Sequence, residues 1–158
     1  MSSLLDHLGK DTLPEALLQE FVNWCVWEQA SPALVIVLEN VQLQELAQSI
    51  RETRSLVELE SLSAHAVSRI QELRKRTGPL GLSAAEAAAF EINNLAKAAA
   101  ESHQDAEGIA FFAARVCGWA GWAETEFIDP MRKAEAESEA RDLQEERLQA
   151  LWVEFGSR

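Results

Sequence analysis

Residues 111–123, Phe-Phe-Ala-Ala-Arg-Val-Cys-Gly-Trp-Ala-Gly-Trp-Ala, constrain the fold of this chain more than any other stretch. Large aromatics and small Ala and Gly positions recur there at helical spacing. A helix apolar on most of its circumference belongs in an interior, and its small residues let neighbours come close on several sides. The segment therefore reads as the spine of a helical bundle. Phe112, Val116, Trp119, Ala123 and Phe127 form its stripe, with Trp119 expected in the core at the centre.

The rest of the chain agrees with an all-α fold. At 158 residues it is the size of one domain, which buries roughly 68–70% of its unfolded surface and needs no staples. Residues 1–158 are read as a single helical domain, a compact bundle of five to seven helices. Tyr is absent, Gly and Pro number 7 and 4, and no apolar–polar alternation persists. Helix starts are marked by local chemistry. Thr12-Leu13-Pro14-Glu15 predicts a helix over about 14–29, and Ser31-Pro32 predicts a fresh start that reaches Asn40 and continues toward Arg54. Ser55-Leu56-Val57-Glu58 opens a helix to Arg76, whose closing Arg74-Lys75-Arg76 complements the helix dipole. Gly78-Pro79-Leu80-Gly81 is a connector. Ser83 opens a helix to Glu101, Asp105 or a neighbour opens the Trp-bearing helix, and Asp129-Pro130 starts a last helix to Phe155. That last helix docks through Leu148, Leu151, Trp152 and Phe155.

Charge and composition narrow the function. The net charge is −12, and residues 105–158 alone hold twelve acids against six bases. Such a surface repels polyanions, so nucleic acid and anionic membranes are disfavoured as partners, whereas a basic protein is favoured. The longest strongly apolar run, Ala33–Leu38, is too short to span a bilayer, which takes about 20 residues. The N-terminus has neither a basic nor an apolar signal region. Cys25 and Cys117 lie inside apolar helical patterns and read as buried free thiols. The expected location is cytoplasmic.

Motifs for chemistry are sparse. No Glu-x-x-His is present: Leu4, Leu62 and Ala100 stand three residues before His7, His65 and His103, so a di-iron bundle is not indicated. His65 sits in an apolar helical pattern as a core or boundary residue. A metal-dependent nucleotide pyrophosphohydrolase would use clustered carboxylates such as Glu135/Glu139 and Asp142/Glu145 to hold Mg²⁺. Interleaved with Arg132, Lys133, Arg141 and Arg147, these acids read better as a solvated face. No cofactor or metal is expected. Candidate partner-binding residues are the acids Glu124, Glu135, Glu139 and Asp142. Trp27 and Trp122 join them, since they lie off the main stripes and Trp is enriched at binding hot spots.

Two stretches carry a family resemblance. One runs from Leu82-Ser83-Ala84-Ala85-Glu86-Ala87 to Ala113-Ala114-Arg115-Val116-Cys117-Gly118-Trp119-Ala120, and the other is Phe21-Val22-Asn23-Trp24-Cys25-Val26-Trp27-Glu28. They resemble all-helical immunity proteins of bacterial polymorphic-toxin systems. The His that follows the Gly segment in that family is replaced by Gly121-Trp122-Ala123-Glu124, so no site residue carries over. The resemblance implies a non-enzymatic protein that neutralises a toxin domain by binding it, and the acidic surface suits a basic toxin. The alternatives are the hydrolase, or a helical homodimer that binds a small apolar ligand between helices near the Trp residues.

Overall fold

The computed structural model describes residues 4–8, 13–76, 81–101 and 105–157. After a 3-10 turn at Leu4–His7 comes a continuous rod. It comprises α1 (Glu15–Trp24), a π-helical turn (Cys25–Ala30) and α2 (Ser31–Asn40). There follow α3 (Gln44–Glu52), α4 (Leu56–Arg76), α5 (Leu82–Glu101), α6 (Ala106–Glu124) and α7 (Pro130–Gly156). With the rod counted once, six helices and no strand are present among the described residues, which is the expected all-α bundle.

The rod corrects the reading of Ser31-Pro32 as a helix start. Ser31 has helical φ −62° and ψ −49°, not the extended backbone of a cap. Proline lacks an N–H, and in an α-helix its ring collides with the carbonyl four residues back. The chain accommodates this by widening: the Ser31 N–H donates to the carbonyl of Val26, five residues back. Burial of Ala33, Leu34, Val35, Val37 and Leu38 offsets the irregularity. The expected continuation to Arg54 also fails. Gln42 turns left-handed at φ 67°, and the Leu43 N–H returns to the Leu38 carbonyl at 2.9 Å, a helix-closing bond of Schellman type.

Because it is unbroken, Glu15–Asn40 is long and apolar enough to cross a membrane by length and composition, which Ala33–Leu38 alone is not. Of its most apolar window, 67% is buried inside the fold. It serves here as a core helix.

The central helix is α6, which touches α7, α5, α2, α1 and the π turn. Its interior is made of small and β-branched residues, including Ile109, Ala110, Ala113, Val116, Ala120 and Ala123. Gly118 and Gly121 allow α7 to approach. A Cβ on Gly121 would lie 2.4 Å from the Ala136 Cβ, and one on Gly118 would lie 3.1 Å from the Lys133 carbonyl oxygen. The other long pairing is α4 on α5, bridged to the rod by α3. There Asn93 Nδ2 donates to the Glu60 carbonyl at 2.8 Å, and Arg74 pairs with Glu86 at 2.6 Å.

Several local signals act as read. Ser55 Oγ accepts from the Glu58 N–H at 3.3 Å, and Asp129 Oδ1 accepts from the Met131 N–H at 3.0 Å. Thr12, Gly78-Pro79-Leu80 and His103 lie outside the described residues, as does the His7 side chain. Four placements differ from expectation. His65 is exposed, and Trp152 is 47% exposed while its neighbours Leu148 and Leu151 are fully buried. Trp119 is half-buried at the margin of the core, as is Phe112. Because α6 is apolar nearly all round, its sequence does not say which stripe faces inward, and the alanine face takes the interior.

Candidate partner-binding face

The acids singled out from the sequence lie mainly on α7, where spacings of three, four and seven residues return to one side of a helix. Arg132, in the first turns of α7, gathers three of them. Its guanidinium meets Glu139 at 3.1 and 3.3 Å, Glu135 at 3.6 Å, and Glu124, from the end of α6, at 4.0 Å. The three carboxylates are more than half exposed. Three negative charges around one positive charge leave the face anionic. Donating hydrogen bonds to Glu139, together with the fields of all three acids, raises the Arg132 pKa further, so it stays charged. Asp142 is exposed on the same side of α7, one turn beyond Glu139.

Beside this cluster runs a shallow groove of about 250 Å³ between α2 and α7, with α6 as its floor. Pro32, Ile36, Ala120, Ala136, Ala140 and Leu143 supply apolar surface, while Glu28, Glu124 and Glu139 border it. Leu143 is 51% exposed. In the connection leading into α7 and its first turn, Ile128 and Met131 are also exposed. Apolar side chains thus sit beside exposed carboxylates, a core-and-rim pattern of the kind found at protein–protein contacts.

The two tryptophans are placed elsewhere. Trp122 is half-buried in an aromatic run, 6.1 Å from Trp119 and edge-on to Phe127 at 5.4 Å between ring centroids. Its Nε1 is buried and finds no protein acceptor. Trp27 lines a separate cavity between the rod and α3, with the Arg54 guanidinium 5.8 Å from its ring centroid. The structure thus joins Glu124, Glu135, Glu139 and Asp142 on one face and leaves Trp27 and Trp122 out of it.

Two polar constellations went unnoticed in the sequence. Gln144 is fully buried; its Nε2 donates to Gln29 Oε1 and to the Ala110 carbonyl, both at 2.8 Å, and its Oε1 accepts from Arg141 at 3.0 Å. Gln29 in turn donates to the Ala140 carbonyl at 3.0 Å. This clamp pins the π turn, α6 and α7 beneath the groove. Glu91, only 8% exposed, accepts from Arg115 Nε at 2.7 Å and Trp119 Nε1 at 3.1 Å, while Lys133 Nζ lies 4.0 Å from the Trp119 centroid. No sequence signal marks Gln29–Gln144, because the partners are 115 residues apart.

Three of the four carboxylates that a hydrolase would use have other work. Glu135 and Glu139 hold Arg132, and Glu145 accepts the N–H groups of Leu4 and Leu5 at 2.9 and 3.0 Å, tying the N-terminal turn to α7. Among the described residues no group of three or more His, Cys, Asp or Glu is placed to hold a metal ion. Both thiols are free, with Cys117 Sγ 3.8 Å from the Gln29 carbonyl oxygen. Burial pushes the Cys117 thiol up to about 12, and it raises that of Cys25 beyond the range of ordinary titration.

Comparison with known proteins adds no relative: no protein-family model, curated protein or solved structure matches the chain.

Proposed function

We propose that this protein is a non-enzymatic interaction module that binds a basic protein partner through the Arg132-centred acidic face and its groove. Its most concrete form is an immunity protein that neutralises a toxin domain by covering it, acting in the cytoplasm. The observation that carries the reading is the convergence of Glu124, Glu135 and Glu139, exposed and in charge excess, beside a groove with apolar anchors. The acids steer a cationic partner and set its orientation, which acts chiefly on association rate and specificity. The apolar floor and Leu143, Ile128 and Met131 supply desolvated contact, the part that sets residence time.

Capture from the lysate of the cells that make the protein tests this, with the wild-type chain and the Glu135→Lys, Glu139→Lys double variant immobilised side by side. A basic protein held by the wild type, released by salt and absent from the variant supports the reading. Equal retention on both, with unchanged salt dependence, contradicts it.

A further inference from the structure

A second site adjoins the groove across Pro32 and Ile36, where the π-helical turn and α2 face α3. A cavity of about 270 Å³ opens there. Drug-sized sites run from about 300 to 1,000 Å³, so an occupant of this one is small. Pro32, Val35, Ile36 and Ile50 form its apolar wall and Trp27 adds an indole face. Within a helix, residues four apart share a side, so Ser31 stands one turn along from Trp27.

Two polar groups line this cavity: a buried hydroxyl without a protein partner and an exposed guanidinium without a carboxylate. Ser31 also lines it, is only 3% exposed, and its Oγ meets no hydrogen-bond partner in the protein. A serine inside a helix ordinarily returns its hydroxyl to the carbonyl one turn back. In this widened turn that bond is not made, and a buried hydroxyl left unpaired destabilises the state that holds it. The second group is Arg54. Its Nη1 donates to the carbonyls of Arg51 at 3.0 Å and Thr53 at 2.6 Å, leaving Nε and Nη2 uncommitted. Among the described residues it pairs with no carboxylate, although acids outnumber bases 26 to 14 in the chain. Neighbouring Arg51, by contrast, is paired with Glu39.

We infer that this cavity binds a small monocarboxylate with an aryl or branched-alkyl body. The carboxylate lies against Arg54, whose planar fork matches two oxygens at once. The Ser31 hydroxyl donates to the same group, and the apolar body rests between Trp27 and the Val35–Ile50 wall. A cation already held over the Trp27 ring lets the indole contact the ligand body without moving the guanidinium. Pro32 and Ile36 border both sites, but the inference uses none of the polar groups of the Arg132 cluster.

Phenylacetate is the probe, and phenylacetamide is its neutral counterpart of the same shape. Titration is followed by amide chemical shifts and by calorimetry on the full chain, with each variant's thermal unfolding recorded alongside. The expected result is saturable phenylacetate binding with a Kd of about 1 mM or tighter, with shifts centred on Trp27, Ser31 and Ile50. Phenylacetamide and the Arg54→Gln variant should each bind at least about tenfold more weakly, the loss of a charge-assisted pair. Ser31→Ala removes only an unpartnered hydroxyl, keeps the fold, and should weaken phenylacetate by about threefold. Binding that is absent, equal for acid and amide, or unchanged in both variants overturns the inference.

Discussion

Gln144 shows how much of this interior depends on single side chains. Its amide satisfies Gln29 Oε1 and the Ala110 carbonyl at once, and its oxygen receives Arg141. Gln144→Leu keeps the bulk but strands Gln29 Oε1 in the core and leaves the Ala110 carbonyl only its helical donor, so a loss of about 1–3 kcal/mol in urea unfolding is expected. A change below about 0.5 kcal/mol, the ordinary range for surface positions, would show that the clamp holds nothing. The thiols give a prediction with a pH sign. Burial raises Cys117 from an ordinary 9.0 to about 12, and Cys25 moves the same way for the same reason, with Cys117 adding to it. A raised folded pKa means that the folded state holds its proton more tightly. That stability is fully present below pH 9 and is lost as the pH climbs toward 12. The native protein should therefore resist iodoacetamide at neutral pH and lose stability through that alkaline window. The Cys25→Ala, Cys117→Ala variant should lose the alkaline decline, and an unchanged decline would assign it to other groups.

Among the elements, the α6–α7 contact is the most demanding, because two glycines set its distance. Gly121→Ala places a methyl 2.4 Å from the Ala136 Cβ, whereas Gly118→Ala meets its nearest atom at 3.1 Å. Overpacking of this kind costs about 1–3 kcal/mol; calorimetric melting should show Gly121→Ala near the top of that span and Gly118→Ala clearly milder. The reverse order would mean that α7 does not lie where described. The same elements show what a sequence discloses. Asp129-Pro130 and Ser55 with Glu58 were readable because cap chemistry is local: donor and acceptor sit within three residues. Ser31-Pro32 carried an equally clear local signal and misled, because burial on the far side of the proline kept the helix going. The stripe of α6 was ambiguous for a related reason. When nearly every position is apolar, inward and outward faces differ by packing partners that only the fold supplies, and Trp119 ended at the margin. Of the candidate face, the α7 acids were visible by spacing, but their convergence on Arg132 with Glu124 required the α6–α7 turn. The placement of Trp27 over a cavity against α3 was not visible at all.

The whole molecule is an all-α bundle around α6 with two neighbouring sites of different character along the rod. One presents acids and an apolar groove, and the other holds an exposed arginine without a carboxylate partner and a buried hydroxyl without a protein partner beside Trp27. An acidic protein repels nucleic acid and attracts basic proteins over distances of about a Debye length, and in the proposed function a basic partner drawn in this way docks at the groove. Carbodiimide cross-linking of the captured complex, mapped by mass spectrometry, tests this most directly, because it joins a carboxylate only to an amine already in salt-bridge contact. Links from Glu124, Glu135, Glu139 or Asp142 to lysines of a basic partner are the predicted result. Links confined to carboxylates elsewhere, or only between copies of this chain, would contradict it.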